Sequence, residues 1–187
     1  MLVLGVDPGL ANFGWAAVEL GRDTERVLAA GNLRTSPSSR KARVLASSDT
    51  ARRARELRTG LAGALAGLRS DADPLVAVCA ESMSYPRAAK AAHMLGVAWG
   101  IAVAEADVYG VPIAQASPQQ VKATLTGRKD ASKDDVLSAL VERYGEVALA
   151  SILSLPKTHR EHPADALAAV VACLDHEAIQ AVRRLVA

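Results

Sequence analysis

Aromatic residues are nearly missing from this chain: one Phe, two Trp and three Tyr, 3% of 187 residues. The core must therefore be aliphatic, and a surface that stacks many bases on aromatic rings is not available. Cysteine is as scarce. Cys79 and Cys173 each sit in an apolar run without metal-ligand spacing, which reads as two buried, reduced thiols of a cytosolic chain. No run approaches the ~20 apolar residues that span a bilayer. The N-terminus enters an apolar strand pattern at once, with no basic leader or cleavage site. A soluble, cytoplasmic protein with no membrane partner is expected, nucleoid-associated if bacterial. Internal repeats and interdomain linkers are also lacking, and the length suits one mixed α/β domain over residues 1–187.

Net charge is only +2, which decides nothing about nucleic acid. The distribution is more informative. Between Gly31 and Ser70 there are nine Lys or Arg and two acidic residues, a candidate phosphate-contacting surface or a solvated helix face.

Three apolar runs open the chain. Leu2–Val6 ends at Asp7-Pro8-Gly9, Phe13–Leu20 ends at a turn, and Arg26–Arg34 follows closely. Short connections predict an antiparallel meander. Thr35–Ser48 reads as a loop, and Ser48 or Asp49 as the cap of a helix. That helix carries its apolar stripe on Ala54, Leu57, Leu61, Leu65 and Leu68, with Arg52, Arg53, Arg55 and Arg58 mostly off it. Leu75–Ala80 is a buried-type strand before Glu81. Pro86 opens an Ala-rich helix to about Asp107, apolar on most faces. Val111–Ala116 is a strand, and Ser117-Pro118 caps a short helix. Thr126–Ala131 is a polar loop, and Ser132 caps a helix over Lys133–Tyr144. A last helix runs from near Pro163 to the C-terminus.

Asp7 and Glu81 lie at strand ends. Asp165 sits in the first turn of the last helix, three residues after His162, on the same helix face. If the two strands are neighbours, all four groups converge at one end of the sheet. Ionised carboxylates share a small site only with a counter-charge. Oxygen donors favour Mg²⁺ or Mn²⁺ over zinc. Two ions could activate water and stabilise the leaving oxygen of a phosphodiester. Each residue also has a plain reading: Asp7 as a turn residue, Glu81 as a solvated strand end, Asp165 as a first-turn acid, His162 as part of a helix cap. Lys122 and Lys133 are eleven apart, flanking a loop in which Arg128 and Lys129 could track a DNA backbone.

Five segments resemble the RuvC-like Holliday junction resolvases in order and over nearly the whole chain: LGVDPGLANFGWA, VAVCAES, HMLGVAWG, SPQQVKATLTGRKDASKDDV and HPADALAAVVACL. The resemblance implies an RNase H-like fold, in which a five-stranded mixed sheet is flanked by helices. It implies a homodimer and Mg²⁺-dependent nicking of branched DNA, with Mn²⁺ able to substitute and two ions per site. Asp7, Glu81 and Asp165 take the catalytic, metal-holding positions, His162 the fourth, and Lys122 and Lys133 DNA or transition-state contacts. Four-way junctions and branch-migration motor proteins are the implied partners.

Many relatives have an acid at His162, and some have His. An aromatic usually follows the Glu by three; here Ser84 stands there and Tyr85 follows, so Tyr85 is carried as the DNA-contacting candidate. The interval from Asp7 to Glu81 is longer than in typical bacterial members, as in a phage-type or divergent resolvase. The alternatives are an RNase H-like nuclease acting on flaps, D-loops or RNA, and a non-catalytic junction-binding protein. An actin-type or sugar-kinase-type ATPase is disfavoured, because a second Gly-rich phosphate turn and a later Gly-Gly motif are missing.

Overall fold

The computed structural model describes residues 1–68, 74–83 and 86–185. The opening runs fold as β1 (Leu2–Asp7), β2 (Asn12–Leu20) and β3 (Glu25–Arg34), paired antiparallel. Both neighbours of a parallel pair need a crossover. Accordingly α1 (Ala46–Ala66) leads from β3 to β4 (Leu75–Glu81), and α2 (Ala89–Val108) leads from β4 to β5 (Ile113–Ala116). β4 is parallel to β1, and β5 to β4, so the mixed five-stranded sheet has the order β3-β2-β1-β4-β5. This is the expected architecture.

Strand alternation divides the core. Leu2, Leu4 and Val6 of β1 face α1 and α2, where Leu57, Leu61 and Leu65 are fully buried. Val3 faces the other way, with Ala16, Val18, Ala77 and Cys79. That second face is covered by the remaining helices: α3 (Pro118–Thr126), α4 (Lys133–Ala148), α5 (Ala150–Leu153), α6 (Glu161–Cys173) and α7 (Glu177–Leu185). Cys79 and Cys173 are both buried free thiols on this side, in contact with each other.

Local chemistry sets several boundaries. Ser117 and Gln120 form a reciprocal capping box on α3, and Ser132 with Asp135 does the same on α4. Gly145, at φ 80°, breaks α4 after Tyr144, where the sequence pattern ended.

Other expectations are corrected. α1 begins at Ala46, so Asp49 is not a cap; its Oδ1 instead accepts from the Ser38 backbone, the Ser38 hydroxyl and Arg52. α2 begins at Ala89, three residues past Pro86, and β5 at Ile113. The last helix starts at Glu161 and is interrupted after Cys173, giving α6 and α7. Arg53 is not on a solvated face but only 3% exposed, and Arg52 is paired with Asp49 and Glu56. The 31–70 segment is therefore less uniformly a basic surface than its composition suggests.

α2 is also long and apolar enough, by length and composition, to cross a membrane, although its apolar residues are interrupted by polar ones. About a third of it is buried here, against α1 and the sheet.

Glu25 at the start of β3 ties distant helices to the sheet. It accepts from Arg143 at 2.8 Å and Tyr144 at 3.0 Å on α4, and from Arg183 at 3.2 Å on α7. Burial pushes the Glu25 carboxyl up, but the bonds from Arg143, Tyr144 and Arg183 outweigh it and hold the group below its ordinary 4.5. A depressed carboxylate contributes stability above its unfolded pKa and loses it as pH falls through the folded value. Glu25→Gln is expected to destabilise by about 1–2 kcal/mol at neutral pH, allowing for the partial exposure of Arg143. Urea melts of both proteins should differ by less as pH drops below 4.5. A difference independent of pH would assign the effect to packing.

Candidate active site

Two residues of the sheet and two of one helix meet at the carboxyl end of β1. In the β1–β4 register Val6 pairs with Ala80, which brings Asp7 level with Glu81. Both strands alternate so that Asp7 and Glu81 lie on the side of Val3, Ala77 and Cys79, the α6 side. α6 crosses above them with His162 and Asp165 in its first turns.

The crossing is close because two strand positions have no side chain. A Cβ built on Gly5 would lie 2.1 Å from the Ala166 carbonyl oxygen, and one on Gly14 would lie 2.1 Å from the His162 carbonyl oxygen. Asp7 pairs with Gly14 across the β1–β2 ladder. The helix backbone therefore rests on β2 directly beside Asp7. His162 Nδ1 reaches Asp7 Oδ2 at 2.7 Å. An ionised carboxylate only accepts, so Nδ1 is the donor in this contact.

The site is rich in negative charge and partly shielded from water. Burial pushes the Glu81 carboxyl up, and the neighbouring Asp165 and Asp7 charges push it further, against Lys133 and Lys122. Asp165 is raised chiefly by burial, with Asp7 adding and Lys133 opposing. Two half-buried carboxyls that resist ionisation beside a third mark a site short of positive charge. Three carboxylates and an imidazole suit a hard divalent cation. Among the described residues no three of these donors are gathered tightly enough to grip an ion as they stand.

Of the predicted lysines, Lys133 Nζ bonds Asp165 at 3.4 Å and also pairs with Glu161. Lys122 is near enough to act on Glu81. Arg128 is exposed and paired with Asp130 at 3.2 Å, and Lys129 is exposed. Ser84 and Tyr85 lie outside the described residues. The sequence reading missed Glu161, which its place four residues before Asp165 could have signalled. It also missed Gly5 and Gly14, whose role depends on a helix far away in sequence.

A family profile described as crossover junction endodeoxyribonuclease RuvC matches residues 3–173. The chain belongs to the RuvC family. The Zymomonas mobilis crossover junction endodeoxyribonuclease RuvC is 30% identical over 171 residues, covering 89% of this chain and 94% of that protein. T. thermophilus RuvC, solved in complex with a Holliday junction substrate, superposes with a TM-score of 0.69 at 26% identity, over 100% of this chain and 97% of that one. The yeast mitochondrial Holliday junction resolvase shares the fold, with a TM-score of 0.65 at 14% identity over 98% and 82% of the two chains. These likenesses bear out the RuvC resemblance and the RNase H-like sheet, and they leave no place for the two-lobed ATPase reading.

If the RuvC-type site depends on the approach of α6, Gly14→Ala should disturb it selectively. Separating the two backbones by about 1 Å is expected to lower nicking of a four-way junction on the order of 100-fold. Gly63→Ala, on an open stretch of α1 with nothing within 4 Å of the added methyl, should leave the rate unchanged and raise stability slightly. Equal rates for Gly14→Ala and wild type would show that the approach is not needed.

Proposed function

We propose that this RuvC family member nicks four-way DNA junctions by metal-dependent hydrolysis, with Asp7, Glu81, Asp165 and His162 as the working residues. The observation that supports it most is the convergence of two neighbouring strand ends and the first turns of α6, joined by the bond from His162 to Asp7.

In this reading Asp7, Glu81 and Asp165 hold the ion, Mg²⁺ with Mn²⁺ as substitute and two per site. A divalent cation bound there supplies positive charge at the attacking and leaving oxygens of the phosphodiester. Asp7 orients the His162 ring through Nδ1–H, and the free Nε2 is placed to accept a proton from water or to act as a donor atom. Lys133, held between Glu161 and Asp165, and Lys122, near Glu81, present ammonium groups to the scissile phosphate.

The substrate is branched DNA, and symmetric nicking of a four-way junction calls for two sites related by a two-fold axis. α2 supports a homodimer. Gly96 and Gly100 have nothing within 4 Å of an added Cβ, so no packing among the described residues requires them to be small. They line an open groove of about 960 Å³ with Trp99 and Val103, and Val103 is 51% exposed. A second copy of the helix would cover that surface.

Asp7→Asn, Glu81→Gln and Asp165→Asn are each expected to abolish nicking in Mg²⁺ while junction binding is kept or strengthened, because repulsion between acids and phosphate falls. Wild-type cleavage by any of them would remove that residue from the site. His162→Asp should keep nicking and shift the preference towards Mg²⁺, since a carboxylate oxygen stands in as donor; inactivity in both Mg²⁺ and Mn²⁺ would count against a pure ligand role. Equal cleavage of linear duplex, flap and junction would favour the broader RNase H-like nuclease instead.

Val103→Glu should sediment as a folded monomer that nicks without resolving junctions. A wild-type monomer at micromolar concentration, with or without junction, would rule out the dimer.

A further inference from the structure

On the opposite face of the sheet from α6, a cavity of about 390 Å³ opens between the 35–45 loop and the first turns of α1 and α2. Arg43, Arg53 and Lys90 line it, and the acidic group among its walls is Asp49. That carboxylate is already engaged, taking two bonds from Ser38 and one from Arg52.

Arg53 is the unusual member. It is 3% exposed, yet among the described residues it bonds a single neutral hydroxyl, Thr35 Oγ1, reached by Nε at 2.9 Å. The rest of its guanidinium forms no bond or ion pair among the described residues. Its Nη groups keep solvent contact at the cavity wall, and these remaining donors form a planar fork that suits a phosphate. The helix ends beside it lack a side-chain cap after Leu45 and Ala88; α1 carries Asp49 in its first turn, and α2 has no acid there. Uncapped N-termini favour negative charge.

The cavity lies at the same end of the sheet as the acidic centre. Thr35 Oγ1 donates to the Leu10 carbonyl at 2.6 Å, and the Thr35 amide donates to Ala11 at 3.1 Å. Leu10 and Ala11 form the turn that follows Asp7. Arg53 is therefore joined through Thr35 to the loop that leaves the acidic centre, on the face that α6 does not cover.

We propose that this cavity is a second phosphate pocket, in which Arg53, Arg43 and Lys90 hold a backbone phosphate of a DNA arm passing over the sheet end from the acidic centre. The proposal rests on the reading of the chain as a DNA endonuclease. It names a contact outside the acidic centre and outside the Lys122–Lys133 region. It also gives a use to the long segment between Asp7 and Glu81, and explains why an arginine is buried there.

The test is the salt dependence of binding to a fluorescent four-way junction without divalent metal. Arg43→Glu/Lys90→Glu changes two rim residues, and Arg53→Met removes the buried charge while keeping the stem. Each is expected to lower the slope of log K against log salt by about 0.9, the value for one neutralised phosphate. The control Arg22→Glu/Arg184→Glu makes the same change in net charge as the rim pair at exposed positions that do not line the cavity, and should leave the slope unchanged. A rim double variant with the wild-type slope overturns the proposal even if Arg53→Met fails to fold, and so does an equal loss in the control. Inorganic phosphate is the second probe. If it raises the wild-type melting temperature, and the rim variant loses that rise but keeps the junction slope, the pocket takes a free anion and the proposal fails. If the wild type does not bind the junction at all, the nuclease reading fails with it; junction binding with unaltered variants sinks the pocket alone.

Discussion

The backbone of α6 lies in direct contact with β1 and β2, and the site depends on that contact. Gly5 and Gly14 remove the two methyl groups that would stand in the way, each about 2.1 Å from a helix carbonyl oxygen. Alanines at 164, 166, 168 and 169 keep the helix slim where it is buried. Side chains are positioned only as well as the elements that carry them. His162 reaches Asp7 across 155 residues of sequence because helix and strand are held backbone to backbone, with no flexible side chain between them. Such packing transmits small displacements to the site without damping them.

The same contact concentrates charge that the protein alone does not balance. Asp7 and Glu81 come from adjacent parallel strands, a pairing that places both at the carboxyl edge of the sheet. Asp165 is lowered onto them by α6. Burial and mutual repulsion then work against ionisation of Glu81 and Asp165. Lys133 and Lys122 offset part of this, from two helices that carry well-formed caps or a proline start. The centre is therefore held ready for positive charge by rigid elements instead of loops. On the other face of the sheet the balance is reversed, with Arg43, Arg53 and Lys90 around a cavity whose one acid among the described residues, Asp49, is already bonded to Ser38 and Arg52. One end of the sheet thus offers an acidic centre and a basic pocket on opposite faces.

Much of this was legible in the sequence, and the exceptions have physical reasons. The strands were readable because buried, continuous apolar runs end in turn residues, and Asp7 and Glu81 stand where those runs stop. Ser117 and Ser132 were readable as caps because capping is local. Helix starts without a polar cap were not: α1 opens after Leu45 and α2 after Ala88, so the nearest polar or proline residue misled. The break after Cys173 has no glycine or proline to announce it. Arg53 looked like part of a basic face, and its burial is set by the loop folding over it. Gly5 and Gly14 fall in a strand motif whose meaning lies in a helix more than 140 residues later. The resemblance to RuvC resolvases nominated the acids, while the geometry brings them to one end of the sheet.

The central claim is that residues from β1, β4 and α6 form one ion-binding centre. The most direct measurement is anomalous scattering from crystals grown with Mn²⁺. An ion at direct-ligand distance, about 2.1 Å, from carboxylate oxygens of Asp7 and of Glu81 or Asp165 is the expected result. A peak bound by residues of one element alone, or lying away from the end of β1, would contradict it.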